Sequence, residues 1–168
     1  SRFLARAQAV SSWPRPFTRC STRRFCTGGV SQAIDCANAR TLARLAAQYA
    51  GRGVHGFGLS NDERRGDTAA FGPAFAIAER AGLMLSPHGG ELRGPAHVQA
   101  CLDHLHPDRL GHGVRSAEDP RLLEQLASRG VALEVCPTSN VSLGVYQTLE
   151  EVPVRTLVAA GLDVALGA

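Results

Sequence analysis

The chain has 168 residues, 44% of them hydrophobic, and a formal net charge of +3, which are ordinary values for one globular domain. The first 34 residues carry six Arg and no acidic residue, so the remainder has a net charge of −3, which argues against a broad nucleic-acid-binding face. The absence of Lys excludes a Lys nucleophile and a Walker-type phosphate loop, and no apolar run reaches the roughly 18 residues of a membrane span.

The cysteine content bears on the cellular compartment. The five cysteines are Cys20, Cys26, Cys36, Cys101 and Cys136. Their number is odd and no C-x-x-C pair occurs, so the pattern favours neither a disulfide framework nor a zinc ribbon. A reducing, cytoplasmic location is the resulting prediction.

An atypical segment covers residues 1–37. It is rich in Ser, Arg and Thr, contains three of the cysteines and shows no sustained apolar periodicity. Its composition is similar to that of a mitochondrial transit peptide, and it also fits a disordered or misjoined leader. We therefore predict that residues 1–37 pack poorly and that residues 38–168 form the folded domain.

Helical and strand patterns alternate from Asn38 onwards. The first helix places four apolar residues on one face at i, i+3, i+4 and i+7, namely Leu42, Leu45, Ala46 and Tyr49. Further helices are predicted over 68–80, 95–105, 119–129 and 153–160, and strands are predicted to begin near Val54, Leu83, Arg109, Val131 and Leu162. Short connections between alternating helices and strands predict a parallel sheet with covering helices.

Two folds satisfy this alternation, a doubly wound sheet and a (β/α)8 barrel. A complete barrel needs about 250 residues, so a chain of this length would supply only part of one. In both folds the functional side chains gather at the carboxyl ends of the strands. At the predicted strand ends the sequence reads GLSNDE at 58–63, PHGGE at 87–91, GHG at 111–113 and CPTSN at 136–140.

These strand ends resemble, in order, four motifs of the adenosine deaminase family. The H-A-G-E motif is matched by HGGE at 88–91, the R-I-G-H-G motif by RLGHG at 109–113, and the E-x-C-P-x-S-N segment by EVCPTSN at 134–140. A family turn ending in G-D-E is matched at 58–63, with Asn61 in place of the usual Gly. The resemblance runs from about Ala39 to Ala168 and implies an α/β fold, an incomplete (β/α)8 TIM-type barrel with parallel strands.

The resemblance also implies a role for each motif. His88 would be a zinc ligand, and Glu91 would be protonated and donate to the purine ring nitrogen beside the amino-bearing carbon. Such a Glu needs a raised pKa, which an apolar pocket supplies. His112 would orient and polarise the attacking water, and Zn²⁺ would make hydroxide available near neutral pH. Backbone near Asn61 would face the base, and the reaction would give a 6-oxopurine and ammonia.

The sequence contains neither the H-x-H pair nor the Asp-Asp pair of the family. His88 is then the one zinc ligand that can be assigned, where a catalytic zinc normally has three or more. We therefore expect a truncated chain that is inactive by itself. The implied partner is a small-molecule purine nucleoside, with no nucleic acid or membrane, and the oligomeric state is left open.

Several functions remain open. The substrate could be adenosine, free adenine or a modified nucleoside such as aminodeoxyfutalosine. A non-catalytic remnant is a second possibility, and an unrelated nucleotide-binding doubly wound domain is a third, against which the missing phosphate loop counts. The deaminase hypotheses and the remnant hypothesis predict that His88, Glu91 and His112 converge within roughly 10 Å, about two strand spacings.

Other motifs are interpreted as structural. The pair His104 and His106 falls at a predicted helix end, and the G-x-G-x-x-G match at 51–56 precedes a strand instead of following one. Cys136 has no paired base and is followed by Pro, so it is not predicted to be a nucleophile. His55 and His97 are predicted to be structural or surface residues.

Overall fold

The computed structural model describes residues 26–31, 36–60 and 62–167. The strands are β1 (Cys26–Ser31), β2 (Val54–Ser60), β3 (Met84–Gly89), β4 (Arg109–His112), β5 (Ala132–Val135) and β6 (Val164–Leu166). The α-helices are α1 (Cys36–Gln48), α2 (Gly72–Arg80), α3 (Pro95–His104), α4 (Pro120–Arg129), α5 (Pro137–Ser142) and α6 (Val154–Ala159), with 3₁₀ helices at Thr68–Phe71 and Val114–Glu118. No helix among these residues is long and apolar enough to cross a lipid bilayer.

The described strands form one six-stranded sheet in the order β1-β2-β3-β4-β5-β6. Every neighbouring pair is parallel, which confirms the parallel order predicted for the five strands from β2 to β6. The spatial order follows the chain order without the reversal that defines a doubly wound sheet. The chain is therefore an α/β protein that forms part of a (β/α)8 barrel.

Strand β1 was not predicted from the sequence. Its six residues, CTGGVS, contain two glycines and no apolar alternation, so the usual strand signal is absent. It pairs with β2 and lies inside the segment 1–37, whose other residues up to 35 are outside the described part of the chain. The division of the chain after residue 37 stays a prediction.

Helix α5 lies between β5 and the helix predicted over 153–160, in a segment where no helix was predicted from the sequence. It follows β5 directly, and Pro137 occupies its first turn, where the missing N–H group of proline costs nothing. Its six residues, PTSNVS, are mostly polar and too few for a helical period, so the pattern gives no signal. This helix brings Ser139 to the strand-end face of the sheet.

The core lies between the sheet and its helices. Phe57 of β2 and Phe75 of α2 pack edge to face with ring centroids 5.2 Å apart. Leu85 of β3, Leu110 of β4 and Leu133 of β5 are each at most 2% exposed. This layer anchors the strands, so the residues that follow their carboxyl ends are held on one face.

Candidate active site

His88 and His112 meet at the carboxyl ends of β3 and β4. His88 is paired in register with Gly111, and the two imidazole rings pack edge to face with centroids 4.8 Å apart. A Cβ atom at position 111 would lie 2.5 Å from His88 Cδ2, so only glycine leaves room for the His88 ring. The glycine of this motif thus accommodates the protein's own histidine.

The backbone of His112 is in the left-handed region, with φ of 69°. A residue with a Cβ atom is uncommon there and pays about 1–3 kcal/mol, a cost that often accompanies functional sites. His112 is only 7% exposed, so the conformation is held by its surroundings. It places the imidazole between His88 and Glu91.

Glu91 completes a cluster of three side chains. Its Oε1 atom lies 3.2 Å from His112 Nδ1 and 3.4 Å from Ser139 Oγ, whose hydroxyl donates to it. His112 Nδ1 makes no hydrogen bond, so the 3.2 Å contact is close but not aligned. The Glu91 carboxyl group is therefore weakly engaged by the protein and is available to a ligand. The predicted convergence of His88, Glu91 and His112 is found, while Asn61 lies outside the described residues.

The pKa values of the three clustered side chains are shifted from their ordinary values. Burial lowers the pKa of His88, with the neighbouring His112 adding to the effect, and burial also lowers the pKa of His112. Burial raises the pKa of Glu91, and the negative charge of Glu63 raises it further. Two neutral imidazoles thus face a carboxyl group that holds its proton to higher pH than usual. This is the protonation pattern that the proposed proton donation by Glu91 requires.

Glu63 is part of the site but was not singled out from the sequence. It follows β2, is 1% exposed, and accepts backbone N–H groups from the turn that carries Glu91. Burial raises the pKa of Glu63, but the adjacent His97 and these backbone donors outweigh it, so the net pKa is lowered. Its place in the motif at 58–63 was the available signal, as was the Ser of CPTSN for Ser139.

A cavity of about 310 Å³ opens beside Glu91. Its lining consists of Glu91, Leu92, Arg115, Glu118, Leu143, Gly144, Val145 and Tyr146. The Arg115 guanidinium donates to both carboxylate oxygens of Glu118, at 2.7 and 3.1 Å. The positive charge of Arg115 is therefore paired with a carboxylate of the same cavity lining.

The metal-binding side chains among the described residues bear on the zinc prediction. The described residues contain no group of three or more His, Cys, Asp or Glu side chains arranged to hold a metal ion. His88 is a suitable single donor, since a neutral imidazole is the form that binds metal. His88 is therefore the one donor among the described residues that is assigned to the predicted zinc.

The residues interpreted as structural behave accordingly. His104 and His106 are exposed, with His106 Nδ1 3.5 Å from Glu79. His97 is buried and its Nε2 lies 3.0 Å from the Thr68 hydroxyl. Burial raises the pKa of the Cys136 thiol, which disfavours the nucleophilic thiolate.

The partial barrel, with a polar cluster at the carboxyl ends of its strands, has the arrangement in which barrel enzymes carry their active sites. The sequence profile described as "Adenosine deaminase" matches residues 20–168, which is most of the chain. The chain belongs to the adenosine deaminase family.

Individual relatives agree with this assignment. The chain is similar to a putative adenosine/adenine deaminase of Streptomyces virginiae, with 64% identity over 131 residues, 78% of this chain and 39% of that protein. It resembles the structure of an adenine deaminase from Arthrobacter aurescens, with a TM-score of 0.74, 31% identity, 83% of this chain and 42% of that one covered. A zinc-bound amidohydrolase from Burkhoderia ambifaria is also similar, with a TM-score of 0.75, 25% identity and coverage of 84% and 40%. The chain thus spans about two-fifths of the length of these relatives.

Proposed function

We propose that the protein containing this chain catalyses the hydrolytic deamination of a 6-aminopurine, adenine or adenosine, giving the 6-oxopurine and ammonia. The observation that carries the proposal is the Glu91 carboxyl group of raised pKa, 3.2 Å from His112 in a buried cluster. The similarity to an adenine deaminase and to a putative adenosine/adenine deaminase supports the aminopurine class.

The residues of the chain divide the chemistry between them. Protonated Glu91 donates a hydrogen bond to the ring nitrogen beside the amino-bearing carbon, which makes that carbon more electrophilic. Neutral His112 accepts a hydrogen bond from the attacking water and orients it. Attack of the water forms a carbon–oxygen bond. One proton of the water passes to the amino group, which leaves as ammonia when the carbon–nitrogen bond breaks, and the other replaces the proton that Glu91 gives to the ring nitrogen of the 6-oxopurine.

We propose zinc as the cofactor of the whole protein, with His88 as one ligand. The bound Zn in the similar Burkholderia ambifaria amidohydrolase supports this, and Zn²⁺ supplies water of lowered pKa when it is bound. The remaining ligands would come from outside the described residues.

A hybrid enzyme tests the proposal. The 131 residues of this chain that match the Streptomyces virginiae relative replace the corresponding region of that protein, and ammonia release is measured with adenine and with adenosine. We expect turnover of at least one substrate. Glu91→Gln should lower kcat by about 100-fold or more, because amide nitrogen is a poor acid. Glu124→Gln, on the exposed face of α4, is the matched control. An active Glu91→Gln hybrid would refute the role of Glu91.

A further inference from the structure

Glu63 is a buried carboxylate that takes no direct part in the chemistry proposed above. It is 1% exposed and lies between strand β2 and the 3₁₀ helix Thr68–Phe71. Burying a carboxylate this completely has a large desolvation free-energy cost unless hydrogen bonds compensate it. Its contacts therefore indicate what the charge does for the fold.

Three consecutive backbone N–H groups point at this carboxylate. Glu91 N donates to Oε1 at 3.0 Å and to Oε2 at 3.2 Å. Leu92 N and Arg93 N each donate to Oε2 at 3.1 Å. These N–H groups belong to the turn after β3, so a side chain from one strand end fixes the backbone of the next.

Glu63 also contacts a buried side chain of helix α3. His97 Nδ1 of α3 lies 3.4 Å from Glu63 Oε2 without an aligned hydrogen bond, and its other ring nitrogen lies 3.0 Å from Thr68 Oγ1. His97 is 2% exposed and Thr68 is 6% exposed, so this chain of contacts is shielded from water. The carboxylate therefore has little freedom to move away from the turn.

The carbonyl side of the same turn is held by a second residue. Arg115 donates through Nη1 to Leu92 O at 3.2 Å, and its backbone N donates to Gly90 O at 2.9 Å. Glu63 thus accepts hydrogen bonds from the N–H groups of the turn, and Arg115 donates hydrogen bonds to its carbonyl groups. The Glu91 side chain, by contrast, has only the 3.4 Å contact with Ser139 and the unaligned contact with His112.

We propose that Glu63 is a positioning residue, whose carboxylate fixes the backbone of residues 91–93 and thereby holds the Glu91 carboxyl group at His112 and Ser139. The proposal rests on the proposed function only for the role of Glu91. Its structural half concerns this chain alone.

Amide hydrogen exchange of this chain tests the structural half. Glu63→Gln removes the charge and turns one acceptor into a donor that faces the N–H groups. We expect the amides of Glu91, Leu92 and Arg93 to exchange about 10- to 100-fold faster, as when buried donors lose their partner. Unchanged exchange at these three amides in the folded variant would overturn the proposal.

The control is Asp108, an exposed residue whose carboxylate also accepts a backbone N–H group, but towards the other end of β3. Asp108 Oδ2 accepts the backbone N–H of Leu85 at 2.8 Å. Asp108→Asn should speed exchange at Leu85 and leave residues 91–93 unchanged. Acceleration of residues 91–93 by Asp108→Asn, equal to that by Glu63→Gln, would show general loosening and overturn the specific role.

If Glu63→Gln does not fold, Thr68→Val carries the same test. This nearly isosteric change removes the hydroxyl partner of His97 and leaves Glu63 in place. We expect a smaller acceleration, about threefold to tenfold, at the same three amides. No acceleration there would count against the proposal.

Kinetics of the hybrid enzyme test the catalytic half. Glu63→Gln should lower kcat per folded molecule by about 10- to 100-fold, because misplacing a proton donor costs that much, while KM changes less than about threefold. A purely structural role would reduce the folded fraction and leave kcat per folded molecule unchanged, which would overturn the proposal. An inactive unsubstituted hybrid would refute the proposed function and leave the exchange result to decide the positioning of residues 91–93.

Discussion

His112 combines a buried imidazole with a backbone conformation that favours glycine. At an ordinary helix or strand position Gly is less stable than Ala, but at positive φ the order reverses because the Cβ atom is strained. His106 also has positive φ, 47°, yet it is exposed and lies away from the site. A comparison of the two histidines therefore distinguishes the effect of backbone strain on stability from the effect of the His112 side chain on activity.

We predict that His112→Gly is more stable than His112→Ala by about 1 kcal/mol, and that His106→Gly exceeds His106→Ala by a similar amount. Chemical denaturation of the four variants measures this. In the hybrid enzyme, both substitutions at His112 should abolish turnover and both at His106 should leave it unchanged. Equal stability of His112→Gly and His112→Ala would mean that the backbone of His112 is not strained.

The lowered pKa of Glu63 predicts a pH-dependent stability. A carboxyl group whose pKa is lower in the folded state stabilises the fold above its unfolded pKa, about 4.3, and that contribution is lost as the pH falls through the lower folded value. The free energy of unfolding should therefore differ between the unsubstituted chain and Glu63→Gln most at neutral pH and least in acid. Urea denaturation between pH 3 and 7, with Glu124→Gln as the control, measures this. A difference that does not change with pH would contradict the prediction.

At the scale of elements, helix α4 shows how local sequence sets a boundary. Asp119 accepts backbone N–H groups from Arg121 and Leu122, Pro120 occupies the first turn, and Gly130 ends the helix with φ of 67°. Each of these is a standard start or stop signal. The helix follows the 3₁₀ turn after His112, so its start is tied to the site.

We predict that Asp119→Ala lowers the free energy of unfolding by about 1 kcal/mol, because two N–H groups lose their acceptor. Glu124→Ala, on the exposed face of the same helix, should change it by less than about 0.5 kcal/mol. Thermal denaturation of both variants checks the difference. Two equal effects would argue that the cap contributes nothing.

At the scale of the whole molecule, the number of zinc ligands determines whether this chain can be active by itself. His88 is the single zinc donor assigned among the described residues, and a catalytic zinc needs three or more protein ligands. We predict that this chain alone binds zinc weakly and releases no measurable ammonia from adenine or adenosine. Metal analysis after dialysis and an ammonia assay measure both. Stoichiometric zinc together with ammonia release would contradict the prediction.

Variants identify the source of any residual zinc binding. His88→Ala should remove it, because the neutral imidazole of His88 is the donor at the strand ends. His104→Ala should leave it unchanged, since His104 is exposed at the end of α3. The reverse pattern would point to the pair His104 and His106 at the helix end.

The sequence by itself determined the fold class and predicted that three side chains lie together at the strand ends. Helix periods, strand runs and short connections are local signals, so five strands and their parallel order were predicted correctly. His88, Glu91 and His112 were singled out because each lies at or just after the carboxyl end of a strand, where a parallel sheet collects functional side chains. Their catalytic roles and the substrate stay predictions.

Tertiary structure decided what local patterns do not encode. Strand β1 has a glycine-rich sequence and exists through its pairing with β2, and α5 is too short and polar to show a period. The contact of Glu63 with the backbone of residues 91–93 spans 28 to 30 positions along the chain. Such a contact forms only when folding brings two loops together at adjacent strand ends. No spacing in the sequence indicates which residues of the two loops will meet.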